Sequence, residues 1–314
     1  MGGTDRRAVA AALWRMARPA QLALIAVVYA LGVSMALGRG ATLDAGRVAV
    51  GLAALLPTAA SVHYANEYAD VESDALTDRT PFSGGSGALP ESGLSPRLAL
   101  HAAVASGAVG LATVGAVVLP AGGTVAPVAG RALSAPAAGL LVGILVVGWQ
   151  YSVGPLRLAW NGLGEVTNAA LGGVALPLYG FAVVAGAVDA RAALATVPFA
   201  LVVFVNLLET QWPDRRADAA VGKDTLATRW SARRLRAAYG LASLAAAGAT
   251  VALAGGVLPV PVAAGSLVPM IGLVPGAYRF TRRETPLPAV MTMVAVAAAT
   301  TVGWAVAAGV PESL

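Results

Sequence analysis

The chain has 314 residues, 57% of them hydrophobic and only 12% charged, with a mean hydropathy of +0.73. A soluble domain carries about 25% charged residues, so one water-soluble core is excluded and a multi-pass membrane protein is expected. Cysteine is absent, which rules out disulfides, thiolate catalysis and cysteine-ligated metals. The net charge of +5 comes almost wholly from arginine, and Lys223 is the single lysine.

The apolar runs are about 20 residues long and lack alternation, so helices are expected rather than a barrel. Nine spans are predicted, over residues 19–38, 46–68, 96–119, 136–152, 163–186, 192–212, 235–256, 260–278 and 287–309, within one transmembrane domain covering 1–314. Pro and Gly mark most of the breaks, as in "LPAGGTVAP" and "GGVLPVP". Abundant Ala and Gly suit close helix contact in lipid.

Arginine placement sets the expected orientation. With the N-terminus cytoplasmic, 17 of the 21 basic residues fall inside, leaving only Arg39, Arg47, Arg131 and Arg191 outside. Nine spans then put the C-terminus outside. Of the 16 acids, only Asp44, Asp189 and Glu312 fall outside. The positive-inside rule is not driven by acids, so their bias requires a cause of its own.

That cause is sought at two helix ends. After the second span, "NEYADVESD" (66–74) places Asp70 and Asp74 at i, i+4, with Asn66 one turn earlier. On a helix the three side chains share a face. The sixth span ends in "ETQWPDRRADAAVGKDTLATR" (209–229), where Asp214 and Asp218 repeat the spacing before Gly222 and Lys223. An interval of four spans suggests a weak internal repeat that turns the two pairs toward each other. Like charges one turn apart repel, so facing pairs need cations. All-oxygen ligands without Cys or His point to Mg²⁺, which is commonly held by a few carboxylates plus phosphate oxygens. The pattern reads as a diphosphate site, where the cations Arg79, Arg157 and Lys223 could grip the remaining oxygens.

These segments resemble the UbiA superfamily of intramembrane prenyltransferases. "NEYADVESD" is similar to its first motif, N-x-x-x-D-x-x-x-D, and "DRRADAAVGKDTLATR" to its second, D-x-x-x-D followed by G-K-x-T-L. "YSVGPLRL" (151–158) resembles its Tyr-Ser/Thr-x-x-Pro segment, and "ARPAQL" the Arg-Pro start of its first helix. The resemblance implies an all-α, U-shaped bundle of nine transmembrane helices around a central cavity open to lipid. It implies prenyl transfer from an isoprenyl diphosphate to an acceptor, commonly aromatic. Asn66, Asp70, Asp74, Asp214 and Asp218 would hold Mg²⁺ and the diphosphate. Arg18, Arg79, Arg157 and Lys223 match basic positions, and Tyr151 would lie near the allylic carbon.

Together with the arginine count, the loops that carry these residues are expected on the cytoplasmic side of the cell membrane. "RTPFSGGSGAL" and "GKDTLATR" lean toward the 1,4-dihydroxy-2-naphthoate branch of menaquinone synthesis. Glu67 stands where Asp is common, and "ETQWPD" replaces the usual Asn-x-x-Arg-Asp, which leaves a polar role open to Glu209 or Gln211.

A terpene cyclase of the same superfamily and a transporter are the competing readings. The transporter is disfavoured because the acids sit at helix edges rather than mid-span. His63 and His101 are the only histidines, and His63, three residues before the first motif, could touch the site but reads rather as a packing residue or a helix-end hydrogen bond. "GLGEVTNAALGG" (162–173) follows no strand, so it is not a dinucleotide fingerprint, and Asn168 within it fits an interhelical hydrogen bond as well as a place in an acceptor pocket. The basic run "RWSARRLR" (229–236) fits anchoring at anionic lipid and gives no reason to expect nucleic acid.

Overall fold

The computed structural model describes residues 6–80, 83–118 and 133–309. Pro81, Phe82, Arg131, Glu312 and the "LPAGGTVAP" linker lie outside the described residues, as does the C-terminus. Among the described residues the chain is almost all helix, with isolated bridges and no sheet. Nine helices there are long and apolar enough to cross a membrane: α1 Arg6–Gly38, α2 Ala45–Ala69, α3 Arg97–Gly115, α4 Ala135–Ser152, α5 Gly164–Ala185, α6 Ala190–Gln211, α7 Ala232–Leu253, α8 Val260–Arg279 and α9 Leu287–Ala308. The protein is a multi-pass membrane protein of the expected class.

The differences from the expected boundaries have local causes. Helix begins at Arg6, not near residue 19, and α1 is bent at Arg18, which takes φ 54° and ψ 68° ahead of Pro19. A residue before proline is driven out of the right-handed helical region, so the bend falls there. The start of α7 moves back to Ala232 because the Ser231 hydroxyl accepts from the Arg234 amide as an N-cap. Within α5, Leu171–Ala175 form a π-helical turn just before Pro177. Proline has no N–H to give, and the wider turn accommodates it.

α1 is wedged between α5 and α9, α2 packs along α3, and α6 joins α5 to α7 and α9. Gly32 permits the α1–α5 approach, since a Cβ there would overlap the Pro177 carbonyl. Small residues at such seams let backbones meet where no hydrophobic drive exists between helices. Gly32→Leu is expected to cost about 3 kcal/mol through overpacking, read as a lower unfolding temperature in detergent.

Buried polar groups in the spans are mostly satisfied across helices: Ser266 with Thr300 at 2.9 Å, Trp149 Nε1 to Ser61 Oγ at 2.9 Å, and Tyr179 Oη to the Gly51 carbonyl at 2.8 Å. Leu241, Leu244, Val268, Ile271 and Val302 point outward, as lipid contact requires.

Candidate active site

Inside the bundle lies a cavity of about 900 Å³, walled by α1, α2, α4, α5, α6 and α9. Its deeper wall is apolar, with Leu24, Ile25 and Val28 from α1, Phe199 and Val203 from α6 and Met293 from α9. Its mouth is polar and lies where α2 and α6 end.

The aspartates stand on short helices that leave the spans. Asp70 (φ −98°, ψ 8°) separates α2 from a helix over Val71–Leu76, and Ser73 Oγ donates to the Asp70 carbonyl at 3.0 Å. Asp214 precedes a helix over Arg215–Ala220, with Pro213 beside it. The i, i+4 relation survives both breaks: the Asp74 amide donates to the Asp70 carbonyl at 2.8 Å, and that of Asp218 to Asp214 at 2.9 Å. Lys223 joins the two motifs, its Nζ lying 3.1 Å from Asp70 Oδ1 and 3.5 Å from Asp218 Oδ1.

A loop closes the mouth. The Gly84 amide donates to Asp214 Oδ2 at 3.1 Å. Gly85 has φ 64°, and a Cβ there would collide with the Asp74 carboxylate. Ser86 donates to Glu67 through its amide at 2.9 Å and its hydroxyl at 2.6 Å. Glu67 is only 2% exposed and also accepts from Arg18 Nε at 2.8 Å. Arg15 and Arg79 both donate to the Ser86 carbonyl, at 2.8 and 2.7 Å, and both pair with Glu91. The loop thus touches both aspartate motifs while being tied to α1 and α2.

Low polarity around these carboxylates disfavours their charge. Burial, reinforced by Asp70 and Glu67, pushes Asp74 up to about 8. Burial and then Asp218 push Asp214 up to about 7. Burial raises Asp218 to about 6, partly countered by Lys223. For Lys223, burial acts to lower the pKa, but the Asp70 and Asp218 carboxylates outweigh it and raise it.

Of the residues singled out from sequence, Arg18, Asn66, Asp70, Asp74, Arg79, Tyr151, Asp214, Asp218 and Lys223 all line the cavity. Arg157 does not: it is exposed at φ 41°, with its guanidinium 4.0 Å from the Trp160 ring centroid. Asn66 Oδ1 accepts from Ser152 Oγ at 2.7 Å. Gln211 lines the cavity, whereas Glu209 turns away and accepts from the Ala289 amide at 3.1 Å near the start of α9. His63 is buried, but its Nδ1 is taken by the Ala17 carbonyl at 2.8 Å. Among the described residues no three Asp, Glu or His side chains converge as a ready metal cluster. Sequence reasoning passed over Asn206, a cavity residue whose signal was a lone amide inside "LVVFVNLLE".

Among the described residues, nine membrane-length helices surround a cavity with paired aspartates at its mouth and an apolar floor, which defines a polytopic helical bundle with an embedded cavity. The model of the UbiA prenyltransferase family matches residues 24–285, and the chain belongs to that family. It is a prenyltransferase.

The fold is shared with solved structures. A UbiA homologue from Archaeoglobus fulgidus bound to GPP and Mg²⁺ is 15% identical with TM-score 0.63, over 95% of this chain and 100% of that one. An apo UbiA homologue from Aeropyrum pernix K1 is 15% identical with TM-score 0.66, over 90% of this chain and 96% of that one. A digeranylgeranylglyceryl phosphate synthase is 10% identical with TM-score 0.62, over 96% of this chain and 98% of that one. No curated protein matches the sequence.

Proposed function

We propose that the protein transfers the prenyl group of an isoprenyl diphosphate to an aromatic acceptor, with Mg²⁺, at the cytoplasmic mouth of its cavity. The meeting of two i, i+4 aspartate pairs at that mouth, bridged by Lys223, carries the reading. The Archaeoglobus homologue's GPP, DMAPP and Mg²⁺ support it by fold analogy.

The donor set suits the ion. Asn66, Asp70, Asp74, Asp214 and Asp218 offer only oxygen ligands, and Asp214 Oδ1 is buried without a hydrogen-bond partner. When bound, Mg²⁺ supplies charge neutralisation for a leaving diphosphate. Arg18, Arg79 and Lys223 add fixed positive charge at the same mouth. As the allylic C–O bond breaks, its electrons go to diphosphate and a carbocation develops. The Tyr151 ring offers its face to that cation, and the apolar walls keep water from it. A carbon of the acceptor ring then attacks that cation to form the new carbon–carbon bond. The attacked ring carbon gives up its hydrogen as a proton, with the released diphosphate as the base at hand, so that the ring regains its aromaticity.

On this reading residues 1–314 work as one unit with the N-terminus cytoplasmic and the C-terminus outside the cell membrane. The acceptor is 1,4-dihydroxy-2-naphthoate, as the "RTPFSGGSGAL" and "GKDTLATR" segments favour. The test is purified protein in nanodiscs with Mg²⁺ and geranylgeranyl diphosphate, with and without the naphthoate, read by mass spectrometry. A prenylated naphthalene product is expected. Diphosphate release with only a hydrocarbon or alcohol would replace the transferase with a cyclase. Another aromatic product would overturn the acceptor alone.

A further inference from the structure

The cavity changes chemistry between its charged mouth and its apolar floor. At that level stand three amides, Asn168 on α5 and Asn206 and Gln211 on α6. Gln211 is 9% exposed, and both Gln211 Oε1 and Asn206 Oδ1 are buried with no hydrogen-bond partner. A buried amide carbonyl without a donor carries an uncompensated desolvation cost, so a cavity that keeps two of them calls for a ligand able to donate. The cations that line the cavity are engaged at its mouth: Arg15 with Glu91, Arg18 with Glu67, Arg79 with Glu91, and Lys223 with Asp70 and Asp218.

Antiparallel packing brings the amides of α5 and α6 to one level of the cavity. A Cβ on Gly172 would stand 3.7 Å from Val203 Cγ1 and 3.9 Å from Asn168 Oδ1, so Gly172 lies against α6 one turn before Asn206, and the antiparallel register puts Asn168, one turn before Gly172, at about the level of Asn206. Gly172 lines the cavity there and adds no side chain of its own. Asn206 and Gln211 are separated by about 7.5 Å of helix rise, and Asp214 follows directly. A ring at the amides therefore lies just inboard of a diphosphate at the aspartates.

We propose that Asn168, Asn206 and Gln211 form the acceptor subsite and select a ring that presents hydroxyl groups. An amide both donates and accepts, which matches a hydroxyl and gives no special grip on a carboxylate. The assignment rests on the aromatic-transfer reading and adds which acceptor atoms are recognised.

The test compares 1,4-dihydroxy-2-naphthoate with its 4-O-methyl ether, using geranylgeranyl diphosphate and Mg²⁺, on the wild-type protein, Asn206→Leu and Asn168→Leu. The wild type is expected to favour the diol by at least about 10-fold in kcat/KM, because the ether leaves a buried amide unpaired. Each variant is expected to raise the KM for the diol about 10-fold and bring the preference close to unity, while the donor KM stays within about twofold. Asn206→Ala, which removes the amide without adding bulk, replaces the leucine variant if that fails to fold. Variants that keep the wild-type preference and acceptor KM would overturn the subsite while leaving prenyl transfer standing. A wild type that never prenylates a hydroxyaromatic would overturn both.

Discussion

Asp214→Asn is expected to lower turnover by about 10²–10³-fold while the protein folds as well as before or better. The substitution preserves shape and can keep an oxygen for the Gly84 amide, which now bonds Asp214 Oδ2. It removes a charge from a buried place, where burial already pushes the carboxyl up to about 7. Losing a disfavoured charge relieves the fold, whereas losing an anionic ligand at the mouth removes function. The two readouts, unfolding temperature in detergent and Mg²⁺-dependent diphosphate release, should therefore move apart. A variant with wild-type turnover would end the role proposed for Asp214.

The same carboxylates give the pH dependence a sign. An acid must lose its proton to hold Mg²⁺, and Asp74, Asp214 and Asp218 hold theirs up to about 8, 7 and 6. The Mg²⁺ concentration for half-maximal rate should fall as pH rises between about 6 and 8, because fewer protons remain to be displaced.

Hydropathy and proline placement made the nine spans legible, since lipid leaves a helix few alternatives. The motifs were legible because their chemistry is local, with acids one turn apart in an apolar chain. What was not legible depends on contacts far apart in sequence. Glu67 reads as one more acid in "NEYADVESD", yet it ties Arg18, 49 residues away, to Ser86, 19 residues away. No spacing rule reaches that far. Arg157 shows the opposite failure: it is close to Tyr151 in sequence, but its left-handed backbone turns it outward onto Trp160. Glu209 and Gln211 are two residues apart on one helix, roughly 200° around its axis, so one faces α9 and the other the cavity.

Lys223→Met is expected to slow turnover by about 10²-fold while tightening Mg²⁺ binding in the absence of donor. Nζ lies within 3.1 Å of Asp70 and 3.5 Å of Asp218, with the lysine side chain only 12% exposed. In that position it neutralises the carboxylates that a divalent ion would use, and so competes with the ion. Removing it leaves Asp70 and Asp218 without their fixed cation, and added Mg²⁺ then meets less competition. The donor diphosphate, however, loses one of its positive partners, so its KM should rise together with the fall in kcat. Lys223→Arg should rescue poorly, because a planar guanidinium differs from an ammonium that reaches two carboxylates from one nitrogen. Calorimetric Mg²⁺ titration alongside steady-state kinetics separates the cases. A lysine that only holds the fold together would weaken metal binding and turnover in parallel, whereas one that holds the metal's place until substrate arrives moves them in opposite directions.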